Sequence, residues 1–179
     1  NIAIPEGQQK LVSELAKTGK PVIALVMCGR PVIFNEIREH ADAVLCTWWL
    51  GSEAGNAICN VLWGEYNPSA KLPMTFPAHV GQIPIYYQNK STGRPTALKQ
   101  TYKASYIDAS TEPAYPFGYG LSYTDFGYSD LKLLPGKAAG VHTEVSVKVT
   151  NTGKCAGEEV VQLYVQDKAA SVTPVSYTH

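Results

Sequence analysis

The sequence predicts an α/β chain, part of a mainly parallel-sheet α/β sandwich followed by an incomplete antiparallel β-sandwich segment. Three observations lead there. Amphipathic helical stretches alternate with short, continuously apolar runs up to about Phe76; periodicity then disappears between Gly64 and Tyr123; and a two-residue alternation takes over after Gly127.

The first helix is expected over Glu6–Lys17, where Leu11, Val12, Leu15 and Ala16 recur at helical spacing and Thr18-Gly19 and Pro21 stop it. The run Val22–Cys28 is rich in branched residues and ends at Gly29, the pattern of a strand covered on both faces. Pro31 opens a second helix, with Ile33, Phe34 and Ile37 inward and Asn35, Glu36, Arg38 and Glu39 outward. A second apolar run, Ala43–Trp49, follows. Gly51-Ser52 then leads into a helix over Glu53–Trp63, whose buried side is Ala54, Ala57, Ile58, Val61 and Leu62. Strands alternating with helices in one sheet imply right-handed parallel crossovers, and Leu72–Phe76 is expected to add a short strand.

Between Gly64 and Tyr123 proline, glycine, tyrosine, serine and threonine accumulate, which reads as a surface-packed functional or interdomain segment. Beyond it Leu131–Leu134, a strand carrying Val141, Val145, Val147 and Val149, a turn at Asn151-Thr152-Gly153, and Val160–Gln166 form the beginning of an antiparallel sheet. Three strands are too few for a sandwich of about seven, so this second part is expected to be cut short and the chain to be a fragment. The boundary falls between residues 1–126 and 127–179.

The 179 residues carry Lys+Arg 15 against Asp+Glu 15, so no electrostatic argument for nucleic acid arises. Charged residues are 17% of the chain, below the usual ~25%, which points to surface that sits against other protein. No apolar run approaches the ~20 residues of a membrane span, and Asn1-Ile-Ala-Ile-Pro5 lacks the charged and apolar regions of a signal peptide. Cys28, Cys46, Cys59 and Cys155 form no C-x-x-C and no zinc-ligand spacing; the first three lie in apolar segments and read as small buried hydrophobes. No cofactor and no metal is implied.

Gly51-Ser-Glu-Ala-Gly55-Asn56 lies between a strand and a helix, at the carboxyl edge of the sheet where open α/β folds place ligands, but it matches neither nucleotide-binding glycine motif. Glu53, in the first turn beside Trp48 and Trp49, is suited to sugar hydroxyls or to orienting a loop, and equally to capping its helix. The paired tryptophans offer either a platform for a sugar ring or packing for the core or a domain interface. Arg94, in Thr92-Gly-Arg-Pro95, is a cation in a loop that can meet a carboxylate, a sugar hydroxyl or solvent. A glycosidase needs two carboxyl groups flanking one bond, and no convincing pair stands out: Glu36 with Glu39, Glu158-Glu159, Asp125 and Asp130 all read as surface. Ser52 lacks the G-x-S-x-G elbow, and His40, His79, His142 and His179 have no nucleophile beside them in sequence. Asn89-Lys-Ser91 is a glycosylation sequon, relevant only in a glycosylating secretory pathway.

Several of these segments in series resemble glycoside hydrolase family 3, most closely its bacterial periplasmic β-glucosidases: Gly29-Arg-Pro, Trp48-Trp-Leu-Gly-Ser-Glu-Ala-Gly-Asn-Ala, Gly64-Glu-Tyr-Asn-Pro-Ser-Ala-Lys-Leu-Pro-Met-Thr-Phe-Pro, Gly81-Gln-Ile-Pro-Ile-Tyr-Tyr, Thr92-Gly-Arg-Pro and Tyr115-Pro-Phe-Gly-Tyr-Gly-Leu-Ser-Tyr. Val147-Lys-Val-Thr-Asn-Thr-Gly-Lys and Glu158–Asp167 look like the opening of that family's fibronectin type III-like domain. The resemblance implies residues 1–126 as the C-terminal α/β-sandwich domain lacking its first part and 127–179 as a truncated fibronectin type III-like domain. It implies retaining hydrolysis of terminal β-D-glucosyl residues by a whole enzyme whose TIM barrel carries the nucleophilic aspartate. The acid/base glutamate would lie in a segment upstream of the position of Asn1, so no catalytic residue is carried over. On this reading the chain walls the sugar pocket with Trp48, Trp49, Glu53 and Arg94, its partners are a β-glucoside or oligosaccharide and the N-terminal barrel, and its location is periplasmic or secreted. The ending Ser176-Tyr-Thr-His179 departs from the family pattern. Competing readings are a non-catalytic carbohydrate-binding or interaction module and, from the fold pattern alone, a nucleotide-binding domain.

Overall fold

A computed structural model describes residues 2–88, 106–135, 143–165 and 175–177. They fall into two compact units, one of Asn1–Ile58, Lys71–Tyr119 and Val161–His179, the other of Cys59–Ala70 and Gly120–Val160.

The first unit begins with helix α1 (Glu6–Ala16), one residue shorter than expected. It stops because Gly19, at φ +71°, takes the left-handed conformation that closes a helix end, its N–H donating to the Ala16 carbonyl at 3.1 Å. Strand β1 (Ile23–Val26) pairs in parallel with β2 (Ala43–Cys46), with Ile23 opposite Ala43 and Val26 opposite Cys46, and helix α2 (Asn35–His40) makes the crossover. Helix α3 (Ala54–Leu62) follows β2, giving the α-β-α-β-α order that the sequence predicts.

The core is formed by Val26, Cys28, Phe34, Ile37 and Phe76, with Ile33 also buried. Phe76, 1% exposed, meets the Phe34 ring edge-on at 6.1 Å, and Phe34 stacks on Tyr115 at 6.0 Å. Ile33, Phe34 and Ile37 are core residues as expected, but the helix does not open at Pro31: Ile33 spends its N–H and carbonyl on a bridge to the Ile2–Ile4 segment, Phe34 precedes the first turn, and α2 begins at Asn35, so only Ile37 of the three lies on it. Four other expectations are corrected. β1 is covered on one side only: Val26 and Cys28 point inward, while Ile23, Leu25 and Met27 remain 51%, 41% and 58% exposed. Leu11 and Leu15 of α1 are exposed as well, as is Ala57 of α3. Leu72–Phe76 does not extend the parallel sheet. It runs antiparallel to the Tyr115–Tyr119 segment, where the Leu72 N–H reaches the Tyr119 carbonyl at 2.8 Å and Phe76 bridges Tyr115. Cys59 is exposed rather than buried, as is Cys155; Cys28 is buried and Cys46 half-buried.

Gly118 needs φ +80°, and a β-carbon there would strike the Gln162 carboxamide, whose Nε2 donates to the Gly118 carbonyl at 3.0 Å. The short strands β5 (Leu163–Val165) and β6 (Val175–Tyr177) pair antiparallel.

In the second unit, β3 (Phe126–Pro135) and β4 (Thr143–Asn151) form an antiparallel ribbon. Its register shifts between Ser129 and Lys132, where Asp130 sits at φ +56°, a β-bulge at a residue type that tolerates the left-handed region. Asn67 ties this unit together: its Oδ1 accepts from Ser122 Oγ and the Tyr123 N–H, both at 2.8 Å, and its Nδ2 donates to the Ala156 carbonyl at 2.9 Å. Tyr123 in turn donates its hydroxyl to the Val61 carbonyl at 2.8 Å, near the end of α3.

Candidate functional site

At the carboxyl ends of β1 and β2 the chain forms two adjacent turns, Met27–Pro31 and Thr47–Gly51. Thr47 anchors the second. It is buried, and its N–H donates to the Val26 carbonyl at 3.0 Å, carrying the parallel ladder one residue past β2. Trp48 then adopts φ +53°, a conformation costly for a bulky side chain and held by its surroundings. Its indole is half-buried and meets the Phe76 ring edge-on at 5.8 Å.

The left-handed residue leaves the two neighbouring indoles in different environments. Trp49 is 78% exposed, and its indole lies against Gly29, occupying the space where any side chain at that position would begin. Gly29 is thus required by close approach and not by its backbone angles. The expectation that the pair serves either as platform or as packing resolves into one residue packed on the core and one open to solvent.

Glu53 stands just before α3, its carbonyl accepting the Ala57 N–H at 3.0 Å and its carboxylate accepting from Asn56 Nδ2 at 2.7 Å. It is exposed, four positions from Trp49 in sequence. Arg94 lies outside the described residues. The structure therefore places Trp48, Trp49 and Glu53 on one turn-to-helix segment at the carboxyl edge of the sheet, the location expected of ligand sites in open α/β folds.

Burial, and then the neighbouring Cys28, pushes the Cys46 thiol up from 9.0 to about 11. Among the described residues no group of three or more His, Cys, Asp or Glu side chains is placed to hold a metal ion, and no helix is long and apolar enough to cross a membrane.

Sequence reasoning missed two features. One is a groove of about 460 Å³ whose lining includes Arg30, Pro31, Met74, Ile83, Tyr86 and Phe117. The other is Gln82, 6% exposed, whose Oε1 accepts the Ala78 N–H at 2.6 Å and whose Nε2 donates to the Ser110 and Glu112 carbonyls, both at 3.0 Å. The signal for Gln82 was present: one polar residue between Val80 and Ile83, ahead of a proline, in a segment otherwise apolar. The groove had no such signal, because its walls come from five separated places in the chain, Ile2, Arg30-Pro31, Pro73 to Pro77, Ile83 to Gln88 and Phe117.

A parallel β-α-β core with an aromatic turn at the carboxyl edge, joined in the same chain to an antiparallel ribbon, defines an α/β domain of the kind found in multidomain carbohydrate-active enzymes. Residues 1–123 match the family model described as the glycosyl hydrolase family 3 C-terminal domain. The chain belongs to that family. It is 48% identical over 176 residues to a periplasmic beta-glucosidase of Salmonella typhimurium, covering 97% of this chain and 23% of that protein. It is 47% identical over 166 residues to a beta-xylosidase of Formosa agariphila, covering 92% and 22%. The crystal structure of a beta-glucosidase from Listeria innocua superposes with a TM-score of 0.89 at 40% identity, over 99% of this chain and 25% of that one. The chain thus spans about a quarter of the length of these relatives.

Proposed function

We propose that this chain is the sugar-pocket wall of a retaining β-glucosidase that releases terminal β-D-glucose, and that the nucleophilic aspartate and the acid/base glutamate are not among its carboxylates. The observation that carries the reading is Trp49: an indole open on one side, braced on Gly29 and followed by Glu53, at the carboxyl edge of a parallel sheet. An apolar ring face suits the carbon face of a pyranose, and a carboxylate nearby suits its hydroxyls. Trp48 supports the turn from the core side, and Arg94 is assigned to the same wall. The barrel that would carry the nucleophile is the domain partner, and a periplasmic or secreted location follows the Salmonella relative.

Residues 1–126 are assigned to the α/β domain and 127–179 to the start of a fibronectin type III-like domain. The antiparallel β3–β4 ribbon, which begins at Phe126, supports the start of the second part, whereas Val161–His179, with β5 and β6, groups with the first unit.

The test is hydrolysis of 4-nitrophenyl β-D-glucoside. The 179-residue chain alone is expected to show no turnover; joined to a family 3 barrel and acid/base segment, it is expected to show turnover whose KM rises in Trp49→Ala and Glu53→Gln. Turnover by the chain alone that survives repurification overturns the placement of the catalytic pair. Preference for the 4-nitrophenyl β-xyloside moves the substrate class toward that of the Formosa relative. Sugar binding without hydrolysis by the joined protein leaves the non-catalytic carbohydrate-binding module as the reading.

A further inference from the structure

We infer that Gln162 and Tyr164 are positioning residues for the Trp48–Trp49 turn, acting from the segment that follows the antiparallel ribbon and touching no substrate themselves. The role rests on the β-glucosidase reading above and names what holds the sugar platform from behind.

Far downstream in sequence, both residues nevertheless belong to the first unit, which gathers Asn1–Ile58, Lys71–Tyr119 and Val161–His179. Two contacts fasten them there. Gln162 donates from Nε2 to the Gly118 carbonyl at 3.0 Å, and its carboxamide fills the space where a side chain on Gly118 would begin. Tyr164 meets the Tyr87 ring edge-on with centroids 6.3 Å apart, and Tyr87 stacks on Phe117 at 4.5 Å. The Tyr164 hydroxyl donates to Gln162 Oε1, which leaves the amide group of the same carboxamide turned toward Gly118. Pairing of β5 with β6, Tyr164 opposite Ser176, anchors the strand itself.

From Phe117 and Gly118 the connection to the turn is a ladder of backbone hydrogen bonds. The Gly118 N–H donates to the Leu72 carbonyl and the Leu72 N–H to the Tyr119 carbonyl, both at 2.8 Å; at the other end the Phe76 N–H donates to the Tyr115 carbonyl at 2.8 Å. Gly118 thus spends its N–H on the Leu72–Phe76 segment and its carbonyl on Gln162. Phe76, 1% exposed, closes this ladder, and Trp48 meets its ring edge-on at 5.8 Å. Trp48 is the residue at φ +53°, a conformation that its surroundings must hold, and Trp49 follows it directly. A shift of Phe117 and Gly118 therefore reaches the residue whose backbone sets the direction of the Trp49 indole, because closely packed interiors pass displacements on.

The experiment measures kcat and KM for 4-nitrophenyl β-D-glucoside in the β-glucosidase containing this chain. The variants are Gln162→Met, Tyr164→Ala and Tyr164→Phe, each alone and combined with Trp49→Ala; thermal unfolding reports whether each folds. Gln162→Met keeps the length of the side chain and removes the donor to Gly118. KM is expected to rise about three- to tenfold in Gln162→Met and in Tyr164→Ala, the effect of about one lost hydrogen bond or ring contact, with kcat within about twofold of the wild type. Tyr164→Phe, which keeps the ring on Tyr87, should recover most of that change. In the Trp49→Ala background, where the platform is gone, neither substitution should raise KM further. An unchanged KM in whichever of Gln162→Met and Tyr164→Ala folds overturns the inference and leaves the two residues as braces of the fold. An equal rise with and without Trp49 overturns it as well, because the effect then bypasses the turn. Both results leave the β-glucosidase reading in place while the wild type turns over and Trp49→Ala raises KM; a wild type without turnover sinks that reading and this role together.

Discussion

The indole of Trp49 occupies the space above Gly29 that a side chain would need, so a residue with no β-carbon and the most exposed aromatic at the sheet edge are fitted to each other. Gly29→Ala is expected to swing the indole aside. Because Trp49 is largely exposed, the fold loses little, within about 1 kcal/mol, while the indole loses the seat that Gly29 gives it. In the joined enzyme KM for the β-glucoside should rise with little change in melting temperature. A fall in melting temperature of more than about 8 °C without a change in KM would show that Gly29 serves the fold instead.

Phe76 is the residue on which the first unit turns, touching Phe34 and Trp48 with its ring and Tyr115 through its backbone. Truncation to alanine removes a fully buried ring and leaves a cavity, costing about 3–5 kcal/mol. Urea unfolding should show a lowered midpoint at unchanged slope, and Phe76→Leu should recover more than half of the loss.

The four cysteines should react in two classes. Cys59 and Cys155 are exposed; Cys28 is buried, and Cys46 is pushed up to about 11 by burial and then by Cys28. Two pH units of upward shift leave roughly a hundredfold less thiolate than an ordinary cysteine has at neutral pH, and the thiolate is the reacting form. Iodoacetamide at about pH 8 should label Cys59 and Cys155 first by peptide mapping, with Cys46 catching up only as the pH approaches its own value. Equal labelling of all four at neutral pH would refute the burial of Cys28 and the raised value of Cys46.

Tyr128 donates its hydroxyl to Glu159 at 2.8 Å, and burial followed by that hydrogen bond and the carboxylate's charge pushes the phenol up from 10.0 to about 12. A raised value in the folded state means the folded state favours the neutral phenol. Its contribution is therefore complete below about pH 10 and is lost as the pH climbs through 12. The difference in urea midpoint between the wild type and Tyr128→Phe should be constant from neutral pH to about pH 10 and shrink above it. Growth of that difference with pH would reverse the assignment.

How far the sequence could be read follows from what periodicity encodes. The order of helices and strands was legible because apolar residues recur at helical spacing, as Ile58, Val61 and Leu62 do on α3, although Ile33 and Phe34, read as part of the second helix, lie just before α2. β1 was misjudged because an unbroken apolar run has no polar face to show which side is wet; only the fold separates Val26 from Ile23 and Leu25. The partner of Leu72–Phe76 was not legible, since a short segment does not record that its hydrogen bonds go to Tyr115–Tyr119. At the site, the residues Trp48, Trp49 and Glu53 could be singled out by type and position. The left-handed turn that parts the two indoles could not, because nothing in the sequence of a tryptophan announces a positive φ.

The alternation along Ile23–Cys28, which is β1 and the two residues after it, makes the two sides of one extended segment separately editable. Changes at Ala24, Val26 and Cys28 act on how firmly the domain holds together, whereas polar replacements at Ile23, Leu25 and Met27 act on what it adheres to. An engineer who wants a more soluble form of this domain can rewrite every second residue of the strand and leave its folding largely untouched.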